Sequence, residues 1–169
     1  MIDEFLFETT VRSVKGIDQE LRSLCDKSIF FAPELYVGFC IGMEVTREAK
    51  RRNILIEWHR EVKGQGSGPV DLLFKVENEI IYLELKLADT YDQYRDDIQK
   101  LRSIREANAK KYFCVLLDSF SEENDDRLIK LENEFSNVIL SKKHEKGFKA
   151  QSERYIRQTY CCINLYEVL

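Results

Sequence analysis

The sequence predicts an α/β domain in which helices cover a mixed central sheet. Segments with apolar residues every three or four positions alternate along the chain with short apolar runs, which is typical of helices and strands in one fold. One run, KYFCVLLD at 111–118, is apolar almost throughout, as expected for a strand buried on both faces. The predicted order is helix, three strands, helix, strand, helix, strand, which gives a layered domain.

The N-terminal part of the chain is predicted to be helical. Residues 3–30 carry apolar side chains at helical spacing and are expected to form one or two short helices. Residues 33–52 are expected to form a long helix, because Pro33 suits a first turn and the basic end favours the helix dipole. Its middle, LYVGFCIGMEV, is apolar nearly all round and is expected to be heavily buried. Gly38 and Gly42 indicate tight packing on the sheet or, alternatively, close approach of another molecule.

The middle of the chain is predicted to form three strands. NILIEWHREV is expected to be the first, and KGQGSGP a flexible loop. Residues 70–87 are expected to form a hairpin that turns near Glu77, Asn78 and Glu79.

The C-terminal half begins with an amphipathic helix over residues 88–109. After the buried strand, residues 121–135 are expected to form a second helix. NVIL is predicted to be a short strand, SKKHEKGFK a basic loop, and YCCINLYEVL a closing strand. The apolar stripe of the first helix contains Tyr91, Tyr94, Ile98, Leu101 and Ile104.

Length and composition favour a single globular domain over residues 1–169. The chain is short for two domains, and 44% of its residues are apolar, far from the composition of disordered chains. Acids near the N-terminus argue against a signal peptide, and no apolar run is long enough for a membrane span, so we expect a cytoplasmic protein without a membrane partner. The five cysteines form no CxxC pair and are expected to be reduced and mainly buried.

Three charged residues, Asp71, Glu84 and Lys86, interrupt the apolar hairpin. Glu84 and Lys86 lie two residues apart and therefore share a face of the strand. An even-numbered turn, either Asn78–Glu79 or the four residues 77–80, places Asp71 opposite Lys86 on that face, with residue 73 opposite Glu84. An odd-numbered turn without a bulge sends Asp71 to the other face.

Two carboxylates beside an ammonium group can hold a hard divalent cation through oxygen ligands. Such a cation would neutralise a phosphate and lower the pKa of a bound water, while Lys86 orients that water or stabilises developing negative charge. This chemistry suits phosphodiester hydrolysis. The alternative is a structural ion pair on a half-solvated sheet face, which contributes little stability.

GPVDLLF followed by ELK, with twelve residues between Asp71 and Glu84, resembles the PD-(D/E)xK nuclease superfamily, also called restriction-endonuclease-like. Pro69 and Asp71 are not adjacent here, unlike the Pro-Asp pair of the motif. The resemblance implies that Asp71 and Glu84 are metal ligands for Mg²⁺ or Mn²⁺, that the Leu85 carbonyl is a further ligand, and that Lys86 is catalytic. It also implies a core of helix, three-stranded meander, helix and strand, which agrees with the predicted order over about residues 33–118, preceded by a helical extension.

Many members of the superfamily add a glutamate on the first core helix, and Glu34 is the residue expected to match it. The alternative for Glu34 is an acid that favours the first helical turn. Glu57 on the first strand is the other candidate for this glutamate, and its alternative is a solvent-facing strand residue. His59 shares the face of Glu57 and could approach the metal, or it is a surface or core residue. Gln93 and Tyr94 lie where members often have a supporting Gln or Tyr, although Tyr94 also belongs to the core stripe.

The sequence therefore predicts a metal-dependent nuclease that acts on nucleic acid, DNA in preference to RNA, alone, as a homodimer or within a larger complex. The alternative is a non-catalytic binding module of the same fold. The net charge of −4 argues against general nucleic-acid binding but leaves room for a basic groove. Eight basic residues are candidates to line such a groove, and the equal alternative is that they are simply solvated surface charges. They are Arg47, Lys50, Arg51, Arg52, Lys142, Lys143, Lys146 and Lys149.

Overall fold

The computed structural model describes residues 2–63, 68–121, 125–151 and 156–169, which form a six-stranded sheet and four α-helices. The predicted class, a mixed sheet flanked by helices, is confirmed, while most of the loop KGQGSGP lies outside the described residues. The helices are α1 (Ile2–Cys25), α2 (Glu34–Arg51), α3 (Tyr91–Ser103) and α4 (Asp126–Ile139), with a 3₁₀ helix at Ile29–Phe31. The strands are β1 (Ile56–Lys63), β2 (Pro69–Val76), β3 (Glu79–Leu87), β4 (Ala109–Ser119), β5 (Leu140–Ala150) and β6 (Thr159–Val168).

The strand order across the sheet is β1-β2-β3-β4-β6-β5. The first three strands form an antiparallel meander, β4 lies parallel to β3, and the last two strands run antiparallel to their neighbours. Parallel neighbours need a crossover connection, which α3 supplies between β3 and β4. The start of β2, the end of β3 and the start of α3 are thereby held near one another.

Each face of the sheet has its own apolar cluster. On one face, α1 and α2 pack against strand residues such as Leu83 and Leu85. On the other, α3 and α4 pack against Phe113, and Tyr94 lies at the centre of the contact. Strand β4 contributes to both clusters and is buried from Tyr112 to Ser119, which confirms the prediction of a strand covered on both sides.

Helix α2 has the predicted position but not the predicted burial. It buries one stripe against the sheet, which includes Val37, Ile41 and Val45. A helix that lies on one face of a sheet buries only the side turned toward it, so the apolar residues on the far side stay in solvent. These side chains, between 42% and 53% exposed, are Leu35, Tyr36, Phe39 and Met43.

The segment SKKHEKGFK, predicted to be a loop, is most of β5. Because β5 is an edge strand that pairs only with β6, its side chains are largely half exposed and charged residues are tolerated. The expected apolar alternation is therefore absent. NVIL is not a separate strand, since its first three residues end α4 and Leu140 begins β5.

Two helices differ in length from the prediction. Helix α1 is one continuous helix of 24 residues, longer than the one or two short helices expected. Helix α3 is shorter than residues 88–109, because Ile104 has an extended backbone and Asn108, at a positive φ of 65°, turns the chain into β4. All five cysteines are free thiols, and three of them are buried. None of the helices in the described residues is long and apolar enough to cross a membrane.

Gly42 sets how closely α2 approaches β1. A Cβ atom at this position would lie 2.4 Å from the indole ring of Trp58, far inside van der Waals contact. The ring is also held by Phe39, which packs edge-on with 5.9 Å between ring centroids. One turn earlier, a Cβ on Gly38 would meet the Leu85 side chain at 3.8 Å. Gly42 therefore serves tight packing on the sheet, whereas a side chain at Gly38 would make only an ordinary contact.

Gly42→Ala is expected to lower the free energy of unfolding by about 1–3 kcal/mol, because α2 or the Trp58 ring must move. Gly16→Ala in α1 is the matched control: its Cβ meets nothing within 4 Å, so we expect a gain of about 0.5–1 kcal/mol from helix propensity. Denaturant unfolding followed by far-ultraviolet circular dichroism measures both, and it also serves in variants that lack the single tryptophan. The cost of Gly42→Ala should shrink in a Trp58→Leu background, and an unchanged cost would contradict the contact.

Candidate active site

The hairpin turn places Asp71 and Glu84 across from each other. The β2–β3 pairs run from Val76↔Glu79 to Leu72↔Leu83, around a two-residue turn at Glu77 and Asn78. The turn is even-numbered, as the convergence of the charged residues required, but it lies one residue earlier than predicted. Continuing the register by one pair sets Asp71 opposite Glu84, whereas the prediction set it opposite Lys86.

Asp71 joins the two strands at the point where their regular pairing ends. Its Oδ2 accepts a hydrogen bond of 2.8 Å from the backbone N–H of Leu85. The alternation of side chains between the two faces also breaks here. Val70 and Leu73 are three positions apart and should point to opposite faces, yet both pack in the same cluster. Burial raises the pKa of Asp71, and the hydrogen bond from Leu85 opposes that rise only in part. The contact of Leu85 with the site is therefore the hydrogen bond that its N–H donates to Asp71, while its side chain lies in the core.

Glu84 is the most deeply buried member of the site, with its side chain 3% exposed. Its Oε1 forms an ion pair with the ammonium of Lys100. Its Oε2 is buried and has no hydrogen-bond partner among the described residues. Burial, followed by the charge of Asp71, raises the pKa of Glu84 to about 8, although Lys100 acts in the opposite direction.

Lys86 lies between two carboxylates from two different helices. Its Nζ is 3.1 Å from Oδ2 of Asp97 on α3 and 3.5 Å from Oε1 of Glu34 on α2. Burial alone would lower the pKa of Lys86, but the charges of Asp97 and Glu34 outweigh it and raise the pKa. The side chain therefore remains a protonated ammonium group at neutral pH.

Glu34 connects the first turn of α2 to the end of β3. Its Oε2 accepts a hydrogen bond of 2.8 Å from the N–H of Leu87, while its other oxygen faces Lys86. Burial raises the pKa of Glu34 even though the Leu87 hydrogen bond and Lys86 both lower it. The structure thus brings together the four residues that the sequence selected as the primary site, namely Asp71, Glu84, Lys86 and Glu34.

Asp97 and Lys100 complete the cluster, and sequence reasoning missed both. Lys100 Nζ lies 3.4 Å from Oδ1 of Asp97, one turn earlier on α3. A signal was present, because Gln93, Asp97 and Lys100 follow i, i+4, i+7 spacing beside the buried stripe. Polar residues that border the apolar stripe of a helix face the edge of its contact with the sheet.

Among the described residues, the supporting residues named from the sequence have other surroundings or partners than this cluster. Glu57 is exposed and pairs across the sheet with Lys75, and His59 is exposed beside a groove of about 480 Å³. Gln93 is exposed on α3. Tyr94 is fully buried, and its hydroxyl accepts a hydrogen bond from the Asp89 N–H, which confirms its place in the core stripe.

The basic residues at the end of α2 are also distant from the site. Arg51 and Arg52 both pair with Glu48, and Arg47 pairs with Glu44. Along the axis of α2, Arg51 and Arg52 lie about 25 Å from Glu34, and Arg47 lies about 20 Å from it. On β5, lysine charges are likewise partly balanced, for example by Glu132, Glu145 and Glu167.

The cluster fits a divalent cation in donor type and in charge. Four carboxyl groups and two ammonium groups leave a formal charge of minus two when all are ionised, and oxygen donors suit Mg²⁺ or Mn²⁺. The Oε2 atom of Glu84, which is buried and has no hydrogen-bond partner among the described residues, is available as a metal-ligand oxygen. Within the described part of the chain, however, no three His, Cys, Asp or Glu side chains are arranged so that they could hold a metal ion.

Comparisons of the chain with models of known protein families, with curated proteins and with solved structures found no match in any of the three.

In metal-free protein, the free energy of unfolding is expected to fall as the pH rises from about 4.5 to about 8. The reason is that the Glu84 carboxyl binds its proton more tightly in the folded chain, so deprotonation costs stability on the order of a few kcal/mol. Glu84→Gln is expected to reduce this slope, most of all above the range in which Asp71 and Glu34 titrate, whereas Glu79→Gln, at the start of β3, keeps it. Denaturant unfolding across this pH range in the presence of a chelator measures the effect, and equal slopes for wild type and Glu84→Gln would contradict it.

Proposed function

We propose that the protein is a metal-dependent nuclease of the PD-(D/E)xK type that hydrolyses phosphodiester bonds, in DNA in preference to RNA. The observation that supports this most strongly is the close approach of Asp71 and Glu84 in a buried part of the β2–β3 hairpin, where the charge of Lys86 also acts on them. Surface ion pairs need no burial and add little stability. Charges that remain in a dry, apolar hairpin are better explained by chemistry performed there.

The order of elements around the site supports the same proposal. Helix α2, the meander β1–β2–β3, the crossover helix α3 and the parallel strand β4 follow one another along the chain. This order agrees with the core that the resemblance implies over about residues 33–118, and it supports the proposal. Glu34 enters from the first helix of this core, at the position expected for an additional acid.

Each residue of the site has a distinct role in the proposed reaction. Asp71 and Glu84 would hold Mg²⁺ or Mn²⁺, with Glu34 nearby as a third acid. When bound, the ion supplies charge neutralisation of a phosphate and activation of water. Lys86 stays protonated between Asp97 and Glu34, so it acts through its positive charge, which stabilises developing negative charge on the phosphate. It is therefore not the general base.

A second candidate function is a non-catalytic module in which the same residues form an ion-pair network. The contact between Lys100 and Glu84 favours it, because a lysine already balances the most buried acid. Calorimetric titration with Mn²⁺ separates the two candidates. Heat from wild type that is lost in Asp71→Ala supports the nuclease, whereas no heat from either supports the module.

Asp71→Ala is expected to abolish Mn²⁺-dependent cleavage, and Lys86→Ala to slow it by roughly 100-fold or more, because each removes charge needed at the reacting phosphate. Linear, circular and single-stranded DNA and RNA, each with and without Mn²⁺, are the substrates to screen. Glu57→Ala, on the exposed edge strand, is the control that should retain activity. Circular dichroism checks that the variants fold, and full cleavage by folded Asp71→Ala and Lys86→Ala would overturn the assignment.

A further inference from the structure

We propose that Lys100 is a built-in counter-ion that occupies the cation position beside Asp71 and Glu84, and that an entering divalent ion must displace it. This inference rests on the metal site proposed above and adds a competitor for that site from within the chain. Lys100 does not belong to the ExK pattern, because it comes from α3 and not from the hairpin. It is a positioning residue, since it acts through the two acids.

The contacts of the two lysines divide the site between them. Lys100 touches Oε1 of Glu84, and both side chains are largely buried, 17% and 3% exposed. Of the two lysines, Lys100 also has the larger effect on Asp71, where it lowers the pKa more than Lys86 does. Lys86 instead lies against Asp97. The ammonium group nearest to the acidic pair is therefore that of Lys100.

A buried acidic pair in its ionised form needs a positive partner when no metal ion is bound. Two carboxylates at close range in a region of low dielectric repel each other, and an unpaired buried charge is strongly destabilising. Lysine suits this role because its ammonium is a compact point charge on a flexible stem, so it can occupy a cation position and leave it again. Lys100 thus stabilises the folded protein before metal binds.

Asp97 gives the displaced ammonium a second partner. It lies one turn earlier on α3, with its Oδ1 3.4 Å from Lys100 Nζ. Lys100 can therefore move from Glu84 toward Asp97 without entering bulk water and without leaving the cluster. The positive charge remains close enough to oppose a metal ion, so Lys100 lowers the affinity of the site in both positions.

Calorimetric titration with Mn²⁺ at a fixed neutral pH tests the proposal. Lys100→Met removes the competing charge and should tighten Mn²⁺ binding by roughly tenfold or more, because a nearby unit charge no longer opposes the ion. Lys100→Arg keeps the charge and should bind Mn²⁺ as weakly as wild type. Lys110→Met is the control, because Lys110 pairs with Glu79 at the hairpin end and should not change the affinity.

Thermal unfolding gives a second readout that does not depend on activity. In chelator, Lys100→Met should unfold at a lower temperature than wild type, and saturating Mn²⁺ should raise its Tm by more than it raises that of wild type. Lys100→Gln serves the same purpose if the methionine variant does not fold.

The outcomes separate this inference from the proposed function. Equal or weaker Mn²⁺ binding by the uncharged variants Lys100→Met and Lys100→Gln, with wild-type binding that Glu84→Gln abolishes, overturns the counter-ion and leaves the metal site intact. No Mn²⁺ binding by wild type, Lys100→Met or Lys100→Gln overturns both. Binding by Lys100→Met that wild type lacks supports the counter-ion in its strongest form.

Discussion

The close approach of Asp71 and Glu84 in a buried part of the sheet is the constraint on which the rest of the site depends. Two carboxyl groups with so little water around them require hydrogen-bond donors and cations in fixed positions. The Leu85 N–H, Lys100 and Lys86 supply them, and each comes from an element that the sheet topology holds in place. The positions of α2 and α3 are therefore part of the electrostatics of the hairpin.

Much of the fold could be predicted from sequence because local signals were strong where elements are amphipathic or fully buried. Pro33 marked the start of α2, and the apolar run of β4 marked a central strand. Strand β5 gave no such signal, since an edge strand with half-exposed side chains lacks a period of two. The exposed apolar face of α2 could not be predicted either, because the composition of a helix that is apolar nearly all round does not say which side packs against the sheet.

The hairpin part of the site was predictable because alternation along a strand ties Glu84 to Lys86, and an even-numbered turn brings in Asp71. The exact register was not predictable. When an even-numbered turn shifts by one residue, Asp71 stays on the same face of the sheet as Glu84 and Lys86, and only the residue opposite Asp71 changes. The role of Lys100 could not be predicted for a different reason. Its contact with Glu84 depends on how α3 rotates and tilts on the sheet, which tertiary packing decides.

The short turn of the β2–β3 hairpin has a consequence for folding kinetics. Contacts between residues close in sequence form earlier than distant ones, so Asp71 and Glu84 are expected to meet when the hairpin closes. Lys100 reaches them only after α3 has crossed over and docked with β4 in place. The nascent hairpin therefore carries like charges side by side for a time, and conditions that neutralise them should speed the passage to the native state.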